Sequence, residues 1–198
     1  MTENPIKIPA SSSEVTIPSG FEYGEDYAFY DARTSIMPDY YQKILSTATK
    51  SIQIWDTHFR PEYDGLVFSK VTCPNLKIQI MTICDKDYNT QQDVNNLANG
   101  IMENLPDEVK VCTLTVYALS DWSRFHRKLW HDRFLVIDDD RYFLVGASMN
   151  NQSGSTTSFG IHYLSKKADW EVLKKKLDSY TSVTGDTRNV IKVTRRRT

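Results

Sequence analysis

The sequence predicts an α/β domain, an αβα sandwich in which helices cover both faces of a mixed central β-sheet. Three observations predict it: a helix that leads into a short apolar strand, a strand–helix–strand unit, and a later pair of strands joined by a tight acidic turn. The strand–helix–strand order is typical of parallel or mixed sheets with helices packed on their faces. The 198 residues provide room for one core-bearing domain.

The first half of the chain contains one helix and a βαβ pattern. Apolar and aromatic side chains recur at helical spacing over 38–50, and the alternating Ile52 and Ile54 that follow predict a strand over 51–55. Two further apolar strands, over 76–84 and 109–119, enclose a predicted helix over 91–105. We expect these strands to form neighbouring parts of one sheet.

The second half is predicted to be a β-hairpin followed by a strand and a helix. Two strand-like runs, 130–138 and 141–150, are separated by the turn Asp138-Asp139-Asp140, and short polar residues of this kind favour tight turns. A strand over 159–164 and an amphipathic helix over 168–180 follow.

The chain ends are predicted to lie outside the folded domain. Residues 1–20 contain three prolines and a serine triplet without an apolar period, which is typical of a flexible arm. Residues 183–198 are rich in arginine and are predicted to be a basic tail. The domain itself is therefore expected to span residues 21–182.

Composition narrows the class of protein. The net charge of −1 argues against a domain that is basic throughout, although cations crowd into the segment that contains Arg124, Arg127 and Arg133. The three cysteines are an odd number at wide spacing inside apolar runs, which favours buried thiols over a disulfide or a metal site. The sequence contains no long apolar run, so we expect a cytoplasmic location.

Four polar side chains of the predicted hairpin are expected to converge. Residues two apart on a strand share a face, so His131 and Arg133 point the same way, and so do Ser148 and Asn150 on the partner strand. The hairpin places the two strands side by side. An imidazole, a guanidinium and two hydrogen-bonding groups would then face one small patch.

The spacing of these residues resembles the signature of the phospholipase D superfamily. That signature is HxKxxxxD followed by GSxN, and this chain has His131, Arg133 and Asp138, then Gly146-Ala147-Ser148-Met149-Asn150. Two departures are visible: Arg133 replaces the lysine of the family, and an alanine is inserted between the glycine and the serine. The resemblance covers roughly residues 25 to 180 and implies a phospholipase D-like fold.

The resemblance implies a metal-independent phosphodiesterase that needs no cofactor. In that family the motif histidine attacks phosphorus, a second histidine protonates the leaving oxygen, and members with one motif complete the site as homodimers. Carried over, His131 is the nucleophile or acid, Arg133 the phosphate clamp, Ser148 and Asn150 further phosphate donors, and Asp138 a structural or orienting carboxylate. Catalysis is in doubt because arginine and lysine are not equivalent in a tight site.

A nucleic acid is the favoured substrate, because basic and aromatic residues flank the motif. The residues expected to contact it are Gly146, His58, Arg124, His126 and Lys128, although for the last four an ordinary surface placement is also open. The alternative is an inactive binding module for membrane phospholipid or a partner protein in a larger complex. His-Asp-Arg and the strand entry IWDTHFR also resemble the phospholipase D-like domain of certain microtubule-interacting-and-trafficking proteins, where the fold serves membrane association.

Overall fold

The computed structural model describes residues 21–23, 27–30, 37–56, 59, 65–83, 90–119, 133–146, 159–164, 168, 171–175, 178 and 190–198. Within these residues the chain forms two α-helices with bounds, one 3₁₀ turn (Gly65–Phe68), nine strands, and further helical residues at 168, 171–175 and 178. In chain order the helices and strands are β1 (Phe21–Tyr23), β2 (Tyr27–Tyr30), α1 (Met37–Ser46), β3 (Ser51–Trp55), β4 (Asn75–Ile83), α2 (Gln91–Glu103), β5 (Val111–Leu119), β6 (Arg133–Ile137), β7 (Arg141–Val145), β8 (Phe159–Tyr163) and β9 (Val190–Arg197).

All nine strands belong to one mixed sheet. Their order is β1-β2-β8-β7-β6-β3-β4-β5-β9. Neighbours β3, β4 and β5 run parallel, and the remaining neighbouring pairs are antiparallel. The predicted βαβ unit therefore forms the parallel part of the sheet, and the predicted hairpin joins its flank through β6. The mixed α/β fold class is confirmed.

The main hydrophobic core lies between one face of the sheet and the helices α1 and α2. Ile52 and Ile54 of β3 point to this face, as the alternating pattern requires, and they are fully buried. The helix α2 begins with a capping box, in which Thr90 and Asp93 satisfy each other's backbone N–H groups. Its buried side chains repeat at helical spacing and are Val94, Leu97, Ala98 and Ile101.

A second, smaller core lies on the opposite face. Trp55, Met81, Val136 and Tyr142 pack there with Leu173, which belongs to the helical residues 171–175. Residues 168 and 178 are also helical, as the predicted final helix requires. Helices thus pack on both faces, and the predicted αβα layering is confirmed. None of the described helices has the length and apolar character needed to cross a membrane.

The acidic turn closes the β6–β7 hairpin as predicted. Asp138 and Asp139 both have positive φ, at 56° and 65°, which is the backbone of a type I′ turn. The N–H of Asp140 donates to the carbonyl of Ile137 at 3.3 Å. Aspartate tolerates the left-handed region better than most residues, so this acidic tripeptide suits the turn.

The prediction of a basic tail is wrong for residues 190–197. They form β9, which pairs antiparallel with β5 along its whole length and is the last strand on that side of the sheet. Arg195 donates to Asn95 and Asn99 of α2, and Arg197 donates to the carbonyl of Leu105. Arg195 and Arg197 were expected to be solvated in a tail, but they hydrogen-bond from an edge strand to the rest of the domain.

The strands before α1 were not predicted, whereas the burial of two cysteines was. The sequence patterns predicted no strand before α1, yet β1 and β2 extend the sheet beyond β8. Cys73 and Cys112 are free, buried thiols as predicted. Burial raises the pKa of Cys112 to about 11 despite the nearby Arg197 guanidinium. Cys84 and the predicted arm over residues 1–20 lie outside the described residues.

Candidate active site

A row of buried polar side chains crosses the centre of the sheet at one end of the parallel strands. Trp55 pairs with Phe134 of β6 and with Met81 of β4. One residue further along, Asp56, Arg133 and Thr82 therefore stand side by side, on the face that carries the main core. The exposed fraction of Asp56 is 0% and that of Thr82 is 3%. Ligand sites of open α/β sheets lie at this carboxyl end of the strands.

Asp56 and Arg133 form a long ion pair. The Nε atom of Arg133 lies 3.8 Å from Oδ1 of Asp56, and the Arg133 side chain is 22% exposed whereas that of Asp56 is fully buried. Two buried polar atoms of the row, Nε of Arg133 and Oγ1 of Thr82, have no hydrogen-bond partner among the described residues. Buried polar groups are nearly always satisfied in folded proteins, so these two atoms are hydrogen-bonding groups of the row that the described residues leave unused.

The backbone holds Asp56 firmly in this row. Its N–H donates to the carbonyl of Met81 at 3.0 Å, and its own carbonyl accepts from the N–H of Phe59 at 3.3 Å. Asp56 was not singled out from the sequence. The available signal was an acidic residue directly after the apolar strand, in the position where parallel strands present ligand-binding groups.

Asp138 lies at the other end of the hairpin. It stands five positions after Arg133, the first residue of β6, which is a distance of roughly 17 Å along an extended strand. Its carboxylate accepts hydrogen bonds from the backbone N–H groups of Thr49, Lys50 and Ser51, from the Thr49 hydroxyl, and from Arg141. These contacts fit the structural role expected for Asp138, and its distance from Arg133 argues against a place among the catalytic groups. Asp138 ties the connection between α1 and β3 to the hairpin turn.

The charge state of Asp138 follows from these contacts. Burial raises the pKa of its carboxyl, but the hydrogen bonds from the Ser51, Thr49 and Lys50 backbone and from the Thr49 hydroxyl outweigh burial, so that the pKa is lowered. The Arg141 guanidinium approaches to 2.6 Å and also donates to Thr47. Asp138 and Arg141 thus form a structural ion pair, called the saturated pair because its carboxylate oxygens accept hydrogen bonds from several donors.

Gly146 lies at the same end of the hairpin as Arg133. It follows directly after Val145, the residue of β7 that pairs with Arg133, and it is exposed. The structure thus brings Gly146 and Arg133 together, as predicted from the hairpin. The other predicted site residues lie outside the described residues: His131, Ser148, Asn150, His58, Arg124, His126 and Lys128.

The fold and this row of side chains define an α/β sandwich with a buried acid–guanidinium pair at the carboxyl ends of its parallel strands. No protein-family model matches the chain, and no curated protein matches it at a significant level.

Comparison with solved structures finds similar chains, among them the following three. The chain is similar to NucT from Helicobacter pylori (14% identity, TM-score 0.48, over 79% of this chain and 93% of that one). It is similar to Nuc from Salmonella typhimurium, a phospholipase D family member (13% identity, TM-score 0.46, over 78% and 92%). It is also similar to TrmBL2, an archaeal chromatin protein whose structure shows a novel mode of DNA binding (12% identity, TM-score 0.44). That match covers 80% of this chain and 53% of TrmBL2, so the chain spans about half the length of TrmBL2.

Proposed function

We propose that the chain is a phospholipase D-like phosphodiesterase that cleaves nucleic acid without a metal ion, through a site completed by a second copy of the chain. The observation that carries the proposal is the position of Arg133. Its guanidinium is largely buried at the end of β6 beside Asp56, with one donor atom that no described residue satisfies. A fixed, partly desolvated guanidinium is a strong ligand for a phosphodiester.

The motif supplies the nucleophile next to this clamp. His131 stands two residues before Arg133, so chain connectivity limits the separation of their Cα atoms to about 7 Å. Ser148 stands two residues after Gly146, which lies at the same end of the hairpin. The resemblance to the HxKxxxxD and GSxN signature assigns these residues to phosphate chemistry, and Arg133 occupies the position of its lysine.

The proposed reaction has two balanced steps. An imidazole nitrogen of His131 attacks phosphorus and forms a P–N bond, while the P–O bond to the leaving alcohol breaks and that oxygen takes a proton from a second imidazole. Water then attacks phosphorus, its proton passes to the second imidazole, and the P–N bond breaks. Guanidinium and hydroxyl donors stabilise the charge on the phosphoryl oxygens. The chain has one motif copy, so the second imidazole is the partner copy's His131.

A cleavage assay in the presence of EDTA tests the proposal. Labelled single- and double-stranded DNA and RNA are incubated with the wild type, His131→Ala and Arg133→Lys. We expect cleavage that survives chelation, is abolished in His131→Ala, and is retained or increased in Arg133→Lys because lysine restores the family motif. Cleavage that EDTA abolishes, or that His131→Ala leaves unchanged, contradicts the mechanism.

Sedimentation tests the composite site. We expect a dimer at the concentrations at which the enzyme is active. Mixing His131→Ala with wild type should lower the specific activity below that expected from dilution, because mixed dimers have one imidazole. An active monomer contradicts the shared site.

One observation favours the second candidate, an inactive phosphate-binding module. The Asp56 carboxylate lies close to the Arg133 guanidinium and offsets part of its positive charge, which weakens a clamp that has to stabilise developing negative charge. In a binding module, wild type and Arg133→Lys are both inactive, and Arg133→Lys binds phosphate more weakly. Metal-free cleavage by either protein excludes this candidate.

A further inference from the structure

One face of the sheet is polar where an αβα sandwich is usually apolar. On β5, Cys112, Leu114 and Val116 are buried toward the main core, whereas the residues between them are only partly buried. The same holds for the neighbouring strands β4 and β9. We call this surface the open sheet face; its residues are Lys77, Gln79, Thr113, Thr115, Tyr117, Lys192, Thr194 and Arg196.

The open sheet face is left clear by the described helices. The smaller core covers this side of the sheet around Trp55, Met81 and Val136, with Tyr117 at its margin. Beyond that margin, Lys77, Lys192, Thr194 and Arg196 remain exposed within the described part of the chain. Strands buried on both faces read as continuous apolar runs, so the alternation along β5 independently indicates a face built for contact with water or a polar partner.

The charge of this face is uniformly positive. Lys77, Lys192 and Arg196 stand on it, and none of its described positions on β4, β5 and β9 carries an acidic side chain. Successive residues of β9 face opposite sides of the sheet. Arg195 and Arg197 point to the core side and hydrogen-bond with α2 and the loop after it. Lys192 and Arg196 point to the open sheet face.

The acidic neighbourhood begins beyond β4. The side chain of Gln53, on the adjacent strand β3, donates to Asp139 of the hairpin turn at 2.7 Å. The sheet face therefore changes from acidic at the turn to basic toward β9, so that its positive charge is confined to the β4–β5–β9 side.

The strand register arranges the polar groups in rows. Lys77, Thr113 and Arg196 lie opposite one another across three strands. Four residues along, Tyr117 lies opposite Lys192, whose Nζ is 5.3 Å from the centre of the tyrosine ring. Four strand residues span roughly 13 Å, so the two rows present cations at both ends of a flat strip with an aromatic ring at one end.

We propose that the open sheet face binds the sugar-phosphate backbone of a single-stranded nucleic acid, with Tyr117 stacking on a base. A flat basic strip with a ring suits a chain whose bases are unpaired, because base stacking on aromatic side chains and cationic tracking of the backbone are how such strands are held. A second copy of the chain is a poor occupant, since like cations along β9 repel each other. This binding is independent of hydrolysis and of the site around Arg133.

Fluorescence anisotropy with a labelled poly(dT) or poly(U) oligonucleotide of about 20 nucleotides tests the proposal. All proteins carry His131→Ala, so that cleavage cannot consume the probe. The test variant is Lys77→Gln/Lys192→Gln/Arg196→Gln, and the matched control is Lys43→Gln/Lys70→Gln/Lys110→Gln, which removes the same charge away from the open sheet face. Thermal melting checks that both variants fold.

We expect the test variant to bind at least about tenfold more weakly, and its slope of log affinity against log salt to fall by about 2, whereas the control keeps the parent slope. Tyr117→Leu should weaken binding about tenfold and Tyr117→Phe should not, because phenylalanine keeps the ring. Equal losses in test and control variants, equal affinity for duplex, or binding to anionic vesicles in place of oligonucleotide overturn the proposal. If the wild type shows no metal-free cleavage while oligonucleotide binding to the open sheet face follows this pattern, only the proposed enzyme is contradicted.

Discussion

The two ends of strand β6 each carry a buried aspartate–arginine pair, and the two pairs are built differently. At the turn, Asp138 and Arg141 are 2.6 Å apart and the carboxylate is surrounded by backbone donors. At the Arg133 end, Nε of Arg133 lies 3.8 Å from Oδ1 of Asp56 and has no hydrogen-bond partner among the described residues.

This difference separates a structural pair from a candidate binding pair. Burying two charges stabilises a fold only when the remaining donors and acceptors are satisfied, and that condition is met at the turn. At the Arg133 end of β6, the guanidinium is partly exposed and has a donor that no described residue uses. Both features weaken its contribution to stability and leave it able to bind an anion. The same residue types at two ends of one strand thus serve different purposes.

The largest effect is expected from breaking the saturated pair. Asp138→Ala removes the acceptor of several hydrogen bonds and leaves Arg141 buried without its counter-charge, so we expect the free energy of unfolding to fall by about 3–5 kcal/mol. Urea denaturation measures the change. Asp140→Ala is the control: its exposed carboxylate lies 3.7 Å from the same Arg141, and its removal should change stability by less than about 1 kcal/mol. Similar losses in both variants would show that the turn pair is not the stabilising one.

The saturated pair also predicts how stability depends on pH. The folded-state pKa of Asp138 is lowered, so its contribution is complete above the unfolded-state value of about 4 and is lost as the pH falls through the folded-state value. We expect the stability difference between wild type and Asp138→Asn to be constant near neutrality and to narrow below about pH 4. Urea midpoints at a series of pH values measure it, and a gap that stays constant into strong acid contradicts this charge assignment.

Arg133 is expected to affect binding more than stability. Arg133→Ala loses a charge-assisted contact to phosphate, worth about 1.5–3 kcal/mol in binding and turnover. Its cost to the free energy of unfolding should be smaller than that of Arg141→Ala, because the Asp56 pair is longer and less satisfied. Oligonucleotide affinity and urea denaturation, measured on both variants, check this. An Arg133→Ala protein that binds normally but unfolds as readily as Arg141→Ala would make the two pairs equivalent.

The smallest effect is expected at Asp56. Asp56→Asn keeps a hydrogen-bond acceptor but removes the negative charge beside Arg133, so phosphate oxygens meet a more positive site. The guanidinium already offsets this carboxylate, so we expect only a roughly threefold gain in affinity for oligonucleotide, about 0.6 kcal/mol. Weaker binding by Asp56→Asn would instead mean that Asp56 is needed to position the guanidinium.

The fold class and most core elements follow from local sequence patterns. The alternation of Ile52 and Ile54 predicted β3 over its exact range, and the βαβ pattern and the acidic hairpin turn were also predicted correctly. These features are readable because side-chain periodicity and turn chemistry act between residues close in sequence. The motif likewise pointed to Arg133 and Gly146, and the strand register places both at the same end of the β6–β7 hairpin.

What only the tertiary structure decided depends on contacts distant in sequence. The segment that contains Arg195 and Arg197 resembles a solvated tail until β5 and α2 are present to pair with its backbone and its guanidinium groups. Asp56 and Arg133 lie far apart in the chain, and only the antiparallel register of β3 and β6 places them together. The sequence already places Asp138 in the hairpin turn, five positions after Arg133. Only the tertiary structure supplies the N–H groups of Lys50 and Ser51 from which its carboxylate accepts, because those residues lie 88 and 87 positions away in the chain.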